Sequence, residues 1–233
     1  MNIRYSILIP CFNENFTINQ LVEKIINVGL DNYEIIIVDD HSTDGTLEIL
    51  KELEPKYSFL KVVYLNKNQG KGNAINIAFK ESKGEVIIIQ DADLEYEPKD
   101  YKKLLNPIEN NLADVVYGSR FLGNEVRVLY YWHRVANFLL TTLSNVLTNL
   151  NMTDMETCYK VFKREILEKI NITEKRFGIE PEITAKISKL KIRIYEVGIS
   201  YHGRTYEEGK KIGFRDGLRA IYCILKYNLF VTK

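Results

Sequence analysis

The sequence predicts a single α/β domain built on a mixed, mostly parallel β-sheet that is flanked by helices. Short runs rich in Ile and Val alternate with amphipathic helical segments, which is typical of a sheet covered on both faces. Polar clusters follow the ends of several runs, where such sheets bind ligands. The chain has 233 residues and no low-complexity break that would divide it into separate domains.

The first half of the chain alternates strand and helix. Residues 5–10 form a mostly apolar run that predicts a buried strand. In the next segment, apolar residues recur at the spacing of one helical face. They are Ile18, Leu21, Val22, Ile25 and Ile26. The unit then repeats, with strands predicted at 34–38, 61–65 and 85–90 and helices at 46–53 and 73–80.

The second half is less regular. Its patterns predict strands at 114–117 and 192–201, a long helix within 130–150, and helices at 180–190 and 215–227. A stretch of mixed character separates the long helix from residue 180.

Composition excludes several classes of protein. Apolar residues make up 45% of the chain and the net charge is +1, which argues against a nucleic-acid partner. Cys11, Cys158 and Cys223 lie far apart, so we expect neither a disulfide framework nor a zinc site, and a reducing cytoplasm fits best. The first residues lack the features of a signal peptide, so no export is expected.

Acidic clusters follow three predicted strands, at 13–14, 39–40 and 91–93. Because the carboxyl ends of parallel strands meet at one edge, we expect the three clusters to lie together. Asp91 and Asp93, with Glu95 as a further oxygen donor, suit a hard cation that also binds substrate phosphates. The alternative is a solvated acidic turn, since an isolated DxD is a weak pattern.

Two neighbouring segments have both functional and structural interpretations. Asp40 is placed to accept a hydrogen bond from a base or ribose, whereas Asp44 precedes a helix and favours a capping role. Lys71 lies in Asn-Gln-Gly-Lys-Gly-Asn at 68–73, which lacks Walker A spacing. This segment is either a phosphate or ribose contact or a plain turn into a helix.

Basic residues form the remaining candidate group. They lie in the second half of the chain and are Arg120, Arg134, Arg204, Lys210 and Lys211. A guanidinium group can donate two hydrogen bonds to two oxygens of one phosphate. The alternative is that these side chains are solvated surface charges.

The segment 130–150 carries a wide apolar surface with Arg134 near one end, as in a helix lying at a membrane interface. Its apolar members are Tyr130, Tyr131, Trp132, Phe138, Leu139, Leu140, Leu143, Val146, Leu147 and Leu150. The alternative is a core helix packed on the sheet. Polar residues interrupt the segment, so we do not expect it to span a bilayer, which needs about 20 apolar residues.

Six segments occur in an order that is specific when taken together. They are IPCFNEN (9–15), VDDHSTDGT (38–46), NQGKGNA (68–74), QDADLE (90–95), GSRF (118–121) and DMETCYKVFKR (154–164). Over nearly the whole chain they resemble family 2 glycosyltransferases of the GT-A fold, in the branch of dolichyl-phosphate mannosyltransferases and other polyprenyl-phosphate glycosyltransferases. Glu95 stands where that branch often has Gln, and Cys158 where it usually has Gly.

The resemblance implies roles for individual residues. It implies that the nucleotide is bound by Pro10, Phe12, Glu14, Val38, Asp40, Lys71, Asp91 and Ala92. It implies that Asp91, Asp93 and Glu95 bind a divalent cation, Mg²⁺ or Mn²⁺. It implies that Asp93, Arg120 and Asp154 are catalytic. It also implies that the acceptor and its phosphate are bound by Ser119, Arg120, Arg134, Arg204 and Lys210. Residues 1–95 become a nucleotide-binding half and residues 96–233 an acceptor-binding half.

The implied reaction is an inverting, metal-dependent transfer of a sugar from a GDP- or UDP-sugar to a polyprenyl phosphate of the dolichyl or undecaprenyl type. The alternative is the same donor chemistry with a saccharide or protein hydroxyl acceptor in cell-surface glycan synthesis. A hydroxyl needs a general base, for which Asp154 and Glu180 are candidates. Two further classes are a haloacid-dehalogenase-like phosphatase, which also has DxD after a strand, and an inactive nucleotide-sugar sensor.

We expect a cytoplasmic protein that acts at the cytosolic face of a membrane. Membrane-spanning relatives carry C-terminal hydrophobic helices, whereas this chain ends at Lys233 without them. The expectation is therefore peripheral docking, a membrane-anchoring protein partner, or a homo-oligomer.

Overall fold

A computed structural model describes residues 3–123, 127–128, 130–205, 207–208 and 213–231. Within them, seven strands form one sheet in the order β3-β2-β1-β4-β6-β5-β7. The strands are β1 (Tyr5–Cys11), β2 (Tyr33–Asp39), β3 (Leu60–Tyr64), β4 (Val86–Ile89), β5 (Val115–Ser119), β6 (Lys160–Lys163) and β7 (Ile194–Gly198).

The sheet is mixed and mostly parallel, which confirms the predicted fold class. Strands β3, β2, β1 and β4 run parallel to one another, and β5 pairs with β7 in parallel. Only β6 pairs antiparallel to both of its neighbours, β4 and β5, among the described strands. Nearly all residues of β1, β2 and β4 are buried, as expected when helices cover both faces.

Helices α1 to α7 lie between strands along the chain, and α8 follows the last strand. They are α1 (Ile18–Asn27), α2 (Thr46–Leu53), α3 (Lys71–Glu81), α4 (Tyr101–Glu109), α5 (Tyr131–Thr148), α6 (Arg164–Leu167), α7 (Ile179–Ile187) and α8 (Phe214–Leu225). Short 3-10 turns occupy Glu54–Lys56 and Pro98–Asp100, and a π-helical turn at Lys226–Phe230 continues α8. No helix in the described part of the chain is both long and apolar enough to cross a bilayer.

Among the named helices and strands, α4, α6 and β6 were not predicted from the sequence. Helix α4 contains Pro107, which disfavours a helix interior, yet it still buries Leu104, Leu105 and Ile108. Strand β6 has only four residues, and it lies inside the stretch of mixed character. Packing between β4 and β5 fixes β6, and this pairing has no local signal in the sequence.

Candidate active site

The carboxyl ends of β1, β2 and β4 meet at one edge of the sheet, as predicted. Cys11 of β1 pairs with Asp39 of β2, and the Gln90 amide after β4 donates to Leu8 O of β1 at 3.0 Å. Arg204 then joins two of the clusters, because its guanidinium lies 3.8 Å from Glu14 Oε2 and 2.6 Å from Asp93 Oδ2.

Arg204 and Tyr201 hold the DxD turn from the side of β7. Arg204 Nε donates to Glu95 Oε1 at 3.0 Å, and the Tyr201 hydroxyl donates to Glu95 Oε2 at 2.7 Å. Both oxygens of Glu95 are therefore engaged by protein groups. The sequence analysis placed Arg204 among the phosphate ligands but did not single out Tyr201, whose only signal was its position three residues before that arginine.

The backbone of the DxD turn is strained at Leu94. This residue has φ 60°, in the left-handed region that side chains other than Gly, Asn and Asp rarely adopt. The turn lets the Glu95 amide donate to Asp93 Oδ1 at 3.1 Å. Strain of this kind concentrates at functional sites, where the surrounding contacts hold it in place.

The carboxylates of this turn repel one another. Burial, then the charges of Asp91 and Glu95, raise the pKa of Asp93 to about 7. A divalent cation would relieve this excess of negative charge, and carboxylate oxygens suit Mg²⁺ and Mn²⁺, so the donor set fits the predicted metal. In the described part of the chain, no three acidic, His or Cys side chains are arranged as a metal site. Lys71 pairs with Asp91, and Arg204 pairs with Asp93.

Lys71 contacts Asp91 rather than open solvent. Its ammonium lies 2.9 Å from Asp91 Oδ1 and 2.9 Å from Glu180 Oε1, which joins α3, the end of β4 and α7. This contact places the lysine directly beside the DxD turn. A contact from Lys71 to a nucleotide phosphate stays a prediction.

The glycines of the 68–74 segment serve packing. A Cβ at Gly70 would lie 2.4 Å from Lys175 O, and one at Gly72 would lie 2.1 Å from Glu174 O. Asp40 fixes the same turn, because its two carboxylate oxygens accept the Gln69 and Gly70 amides at 2.7 Å each. This contact gives Asp40 a structural role in addition to the nucleoside contact that the resemblance implies.

The other predicted nucleotide-binding residues fall into two groups. Pro10 and Phe12 lie at the end of β1 with partly exposed side chains, whereas Val38 and Ala92 are buried in the core. A contact from Val38 or Ala92 to a ligand would therefore involve the main chain. The sequence analysis gave no role to Asp39. Its buried Oδ1 has no hydrogen-bond partner among the described residues.

Asp44 contacts the start of α2 from the position before Gly45, which is the N-cap residue of that helix. Its Oδ1 accepts the amide of Thr46, the first residue of α2, at 3.1 Å. Its Oδ2 accepts the Asn15 amide at 3.2 Å, which ties α2 to the loop after β1.

Arg120 and Asp154 form a buried, bidentate ion pair. Arg120 Nε and Nη2 donate to the two oxygens of Asp154, each at 2.7 Å, and the Asp154 side chain is fully buried. Neighbouring Ser119 is also buried, and its hydroxyl lies 2.6 Å from Thr153 Oγ1. Asp154 therefore orients Arg120, and its role as a general base stays a prediction.

Helix α5 lies beside Arg120 and exposes part of its apolar surface. Arg120 Nη2 donates to Asn137 Oδ1 at 3.4 Å, and the guanidinium of Arg134 lies 5.5 Å from the ring centre of Phe121. Phe138, Leu139 and Val146 are each at least 60% exposed, so this face does not pack into the core. The predicted phosphate ligand Lys210 lies outside the described residues.

Gln90 is a positioning residue that the sequence analysis did not identify. Its side-chain oxygen accepts the hydroxyls of Tyr101 and Tyr159 at 2.7 and 2.6 Å, and its amide group donates to Asp91 O at 2.9 Å. Its place directly before the DxD motif was the one available signal.

A comparison with known families identifies the chain. The family model described as glycosyl transferase family 2 matches residues 6–171, which include the strand-end carboxylates, Arg120 and Asp154. The chain belongs to glycosyltransferase family 2. This is the family that the six sequence segments predicted.

Two known proteins are similar to the chain over nearly all of its length. The chain is 31% identical over 232 residues to a dolichol-phosphate mannosyltransferase of Pyrococcus furiosus, covering 97% of this chain and 64% of that protein. It is 26% identical over 237 residues to a dodecaprenyl-phosphate galacturonate synthase of Rhizobium johnstonii, covering 99% of this chain and 68% of that one. This chain thus spans less than two thirds of the Pyrococcus protein.

Solved structures confirm the GT-A fold. Glucosyl-3-phosphoglycerate synthase of Mycobacterium tuberculosis aligns with a TM-score of 0.73 at 19% identity, over 97% of this chain and 79% of that one. That structure holds Mn²⁺, uridine diphosphate and phosphoglyceric acid, and another structure of the same synthase holds Mg²⁺ and uridine diphosphate. At this level of identity, the likeness shows the fold alone.

Proposed function

We propose that this glycosyltransferase moves a sugar from a nucleotide sugar to a polyprenyl phosphate, with inversion of the anomeric carbon, at the cytosolic face of a membrane. One observation carries the proposal: contacts run without a break from the DxD turn to the exposed face of α5. The Tyr201 hydroxyl donates to Glu95, and the ring centre of Tyr201 lies 5.2 Å from the guanidinium carbon of Arg120. Arg120 in turn donates to Asn137 of α5. A phosphate beside Arg120 would thus have an apolar surface next to it for its lipid chain.

The donor diphosphate is assigned to the DxD turn. The reaction breaks the bond between the anomeric carbon and a diphosphate oxygen, and that oxygen keeps the electron pair. A divalent cation at Asp91 and Asp93 would supply positive charge to this leaving group. Residues 1–95 supply these carboxylates, together with Asp39 and Asp40 for the nucleoside, which supports their proposed role as the nucleotide-binding half.

The contacts of the two candidate bases favour a phosphate acceptor over a hydroxyl. Asp154 is paired with Arg120, and Glu180 with Lys71, so both carboxylates are neutralised by a cation. A phosphate oxygen is already ionised near neutral pH and attacks the anomeric carbon without losing a proton to a base. Arg120 and Arg134 supply charge for binding that phosphate.

A transfer assay tests this proposal. Purified protein with Mn²⁺ and radiolabelled UDP- and GDP-sugars should transfer label to dolichyl or undecaprenyl phosphate, and the product should extract into organic solvent. The anomeric configuration of the product should be opposite to that of the donor. Transfer to saccharide or protein hydroxyls, with none to either lipid phosphate, would contradict the proposal.

Membrane contact through α5 is the second part of the proposal. The exposed apolar side chains include Tyr131 and Trp132 at the helix start, followed by Phe138 and Leu139, and Arg134 lies among them. Aromatic and apolar groups beside a cation are the features of a helix lying at an anionic lipid surface.

Replacing both Phe138 and Leu139 with Ser should weaken binding to vesicles that contain anionic lipid by about tenfold, because each side chain loses burial in the interface. Co-sedimentation with phosphatidylglycerol vesicles measures this. The control is Leu112→Ser, which removes a half-exposed apolar side chain after α4. Equal sedimentation of the double variant and the control would contradict a docking role for α5.

A further inference from the structure

The segment 200–204 follows β7 and carries Arg204 to the DxD turn. Two of its main-chain contacts end on Glu95. The His202 amide donates to Glu95 O at 2.8 Å, and the Arg204 amide donates to Glu95 Oε1 at 3.1 Å. One antiparallel bridge to the residue after Glu95 lies beside them. All of these contacts come from the end of the turn that Arg204 faces.

Asp100 supplies a further anchor from outside the turn. It is fully buried, and its Oδ2 accepts the Ser200 amide at 2.6 Å. A buried carboxylate is costly unless hydrogen bonds satisfy it, and a contact this short between a carboxylate oxygen and an amide is a strong one. The other oxygen, Oδ1, lies 2.8 Å from the ammonium of Lys103, whose side chain is 58% exposed.

Asp100 lies at the N-cap position of α4, where an Asp side chain usually accepts an amide of the first helical turn. Here the side chain makes no such capping bond. Its oxygen is turned instead toward Ser200, 100 positions along the chain. Because the ordinary capping contact is replaced by this one, the side chain holds the segment 200–204 rather than the helix.

We propose that Asp100 is a positioning residue, which holds the segment 200–204 so that Arg204 stays beside the DxD carboxylates and binds phosphate. This inference rests on the proposed function, since it takes Arg204 as a phosphate ligand. The contacts of the segment with Glu95 involve a predicted ligand of the cation. The bond to Asp100 involves no predicted ligand, so it would hold the segment while the donor binds.

The first test removes the acceptor. Leu has the same branching as Asp but no acceptor atoms, so Asp100→Leu should lower kcat/KM for the lipid phosphate about tenfold. Asp100→Asn keeps one oxygen for the Ser200 amide and should stay within about twofold of the wild type. If the larger Leu side chain prevents folding, Asp100→Ala takes its place.

The control is Asp114→Leu, because Asp114 also accepts a main-chain amide beside β7. Its Oδ2 accepts the Arg193 amide at 3.0 Å, before β7 rather than after it. Asp114 also precedes β5, at the opposite end of that strand from Arg120. This substitution should lower the free energy of unfolding in urea but leave kcat/KM unchanged at a temperature where the variant is folded.

A double-mutant cycle tests whether Asp100 acts through Arg204. A residue that acts through another loses its effect when that other residue is absent. Asp100→Leu should therefore change kcat/KM by less than about twofold in protein that already carries Arg204→Ala. A loss as large as in the wild type would show that Asp100 does not act through Arg204, and would overturn the inference.

Hydrogen exchange tests the anchor without any substrate. Amides in residues 199–205 should exchange faster in Asp100→Leu than in Asp114→Leu, and equal exchange would show that Asp100 does not hold the segment. If the wild type transfers sugar to a lipid phosphate but Asp100→Leu is no slower than Asp114→Leu, the positioning role is wrong and the proposed function stands. If the wild type transfers none, the proposed function fails and this inference fails with it.

Discussion

Asp93→Asn should lower kcat for sugar transfer by about 10²–10³-fold, the range seen when one group that stabilises a developing charge is removed. Asn keeps the shape of the side chain, and its single oxygen can still accept from the Glu95 amide, so the turn should stay folded although the contact with Arg204 is lost. What is lost is a negative charge at the proposed cation site. Initial rates at saturating donor and metal measure the effect.

The control for this variant is Asp31→Asn. Asp31 is exposed and precedes β2, at the opposite end of that strand from Asp39 and Asp40, so the same chemical change should leave kcat unchanged. A kcat for Asp93→Asn within a few-fold of the control would show that Asp93 is not part of the catalytic machinery.

Asp154→Asn should destabilise the protein by about 3 kcal/mol, because it leaves the Arg120 guanidinium with a neutral partner in a buried position. Asp154 is fully buried and Arg120 is only 12% exposed on its side chain. The free energy of unfolding in urea measures this cost. Transfer should also slow, since Arg120 loses the bidentate contact that orients it toward the acceptor.

Glu81→Gln is the matched control, because it also neutralises one carboxylate of an ion pair. Its partner is Lys61, and both side chains are about half exposed, where solvent screens the interaction. This control should hardly change the unfolding free energy. Equal effects of the two substitutions would mean that the Arg120 pair contributes no more than a surface contact.

Local patterns in the sequence were sufficient to predict the first half of the fold. The runs of Ile and Val and the helical spacing from Ile18 to Ile26 are local patterns, which a few neighbouring residues define. In the structure, β1 to β4 and α1 to α3 begin and end within a few residues of the predicted bounds. Strand β6 and helix α4 were missed because packing between distant segments decides them. Four residues of β6 become a strand only between β4 and β5.

In the candidate site too, some features could be predicted from the sequence and others could not. The convergence of the strand-end carboxylates follows from the parallel topology, so the sequence could predict it. Some partners of those carboxylates come from residues more than 100 positions away, such as Arg204 on Asp93 and Tyr201 on Glu95. The sequence does not show which distant residues will meet, which is why the contact of Tyr201 with Glu95 emerged only from the structure.

The most direct test of the central claim is calorimetric titration of UDP and GDP, with Mn²⁺ and with EDTA, into the wild type and Asp93→Asn. The account predicts saturable binding of at least one nucleotide at a single site, dependent on the cation and weakened at least tenfold in the variant. Binding of equal affinity in EDTA, or in Asp93→Asn, would contradict the assignment of the donor diphosphate to the carboxylates after β4.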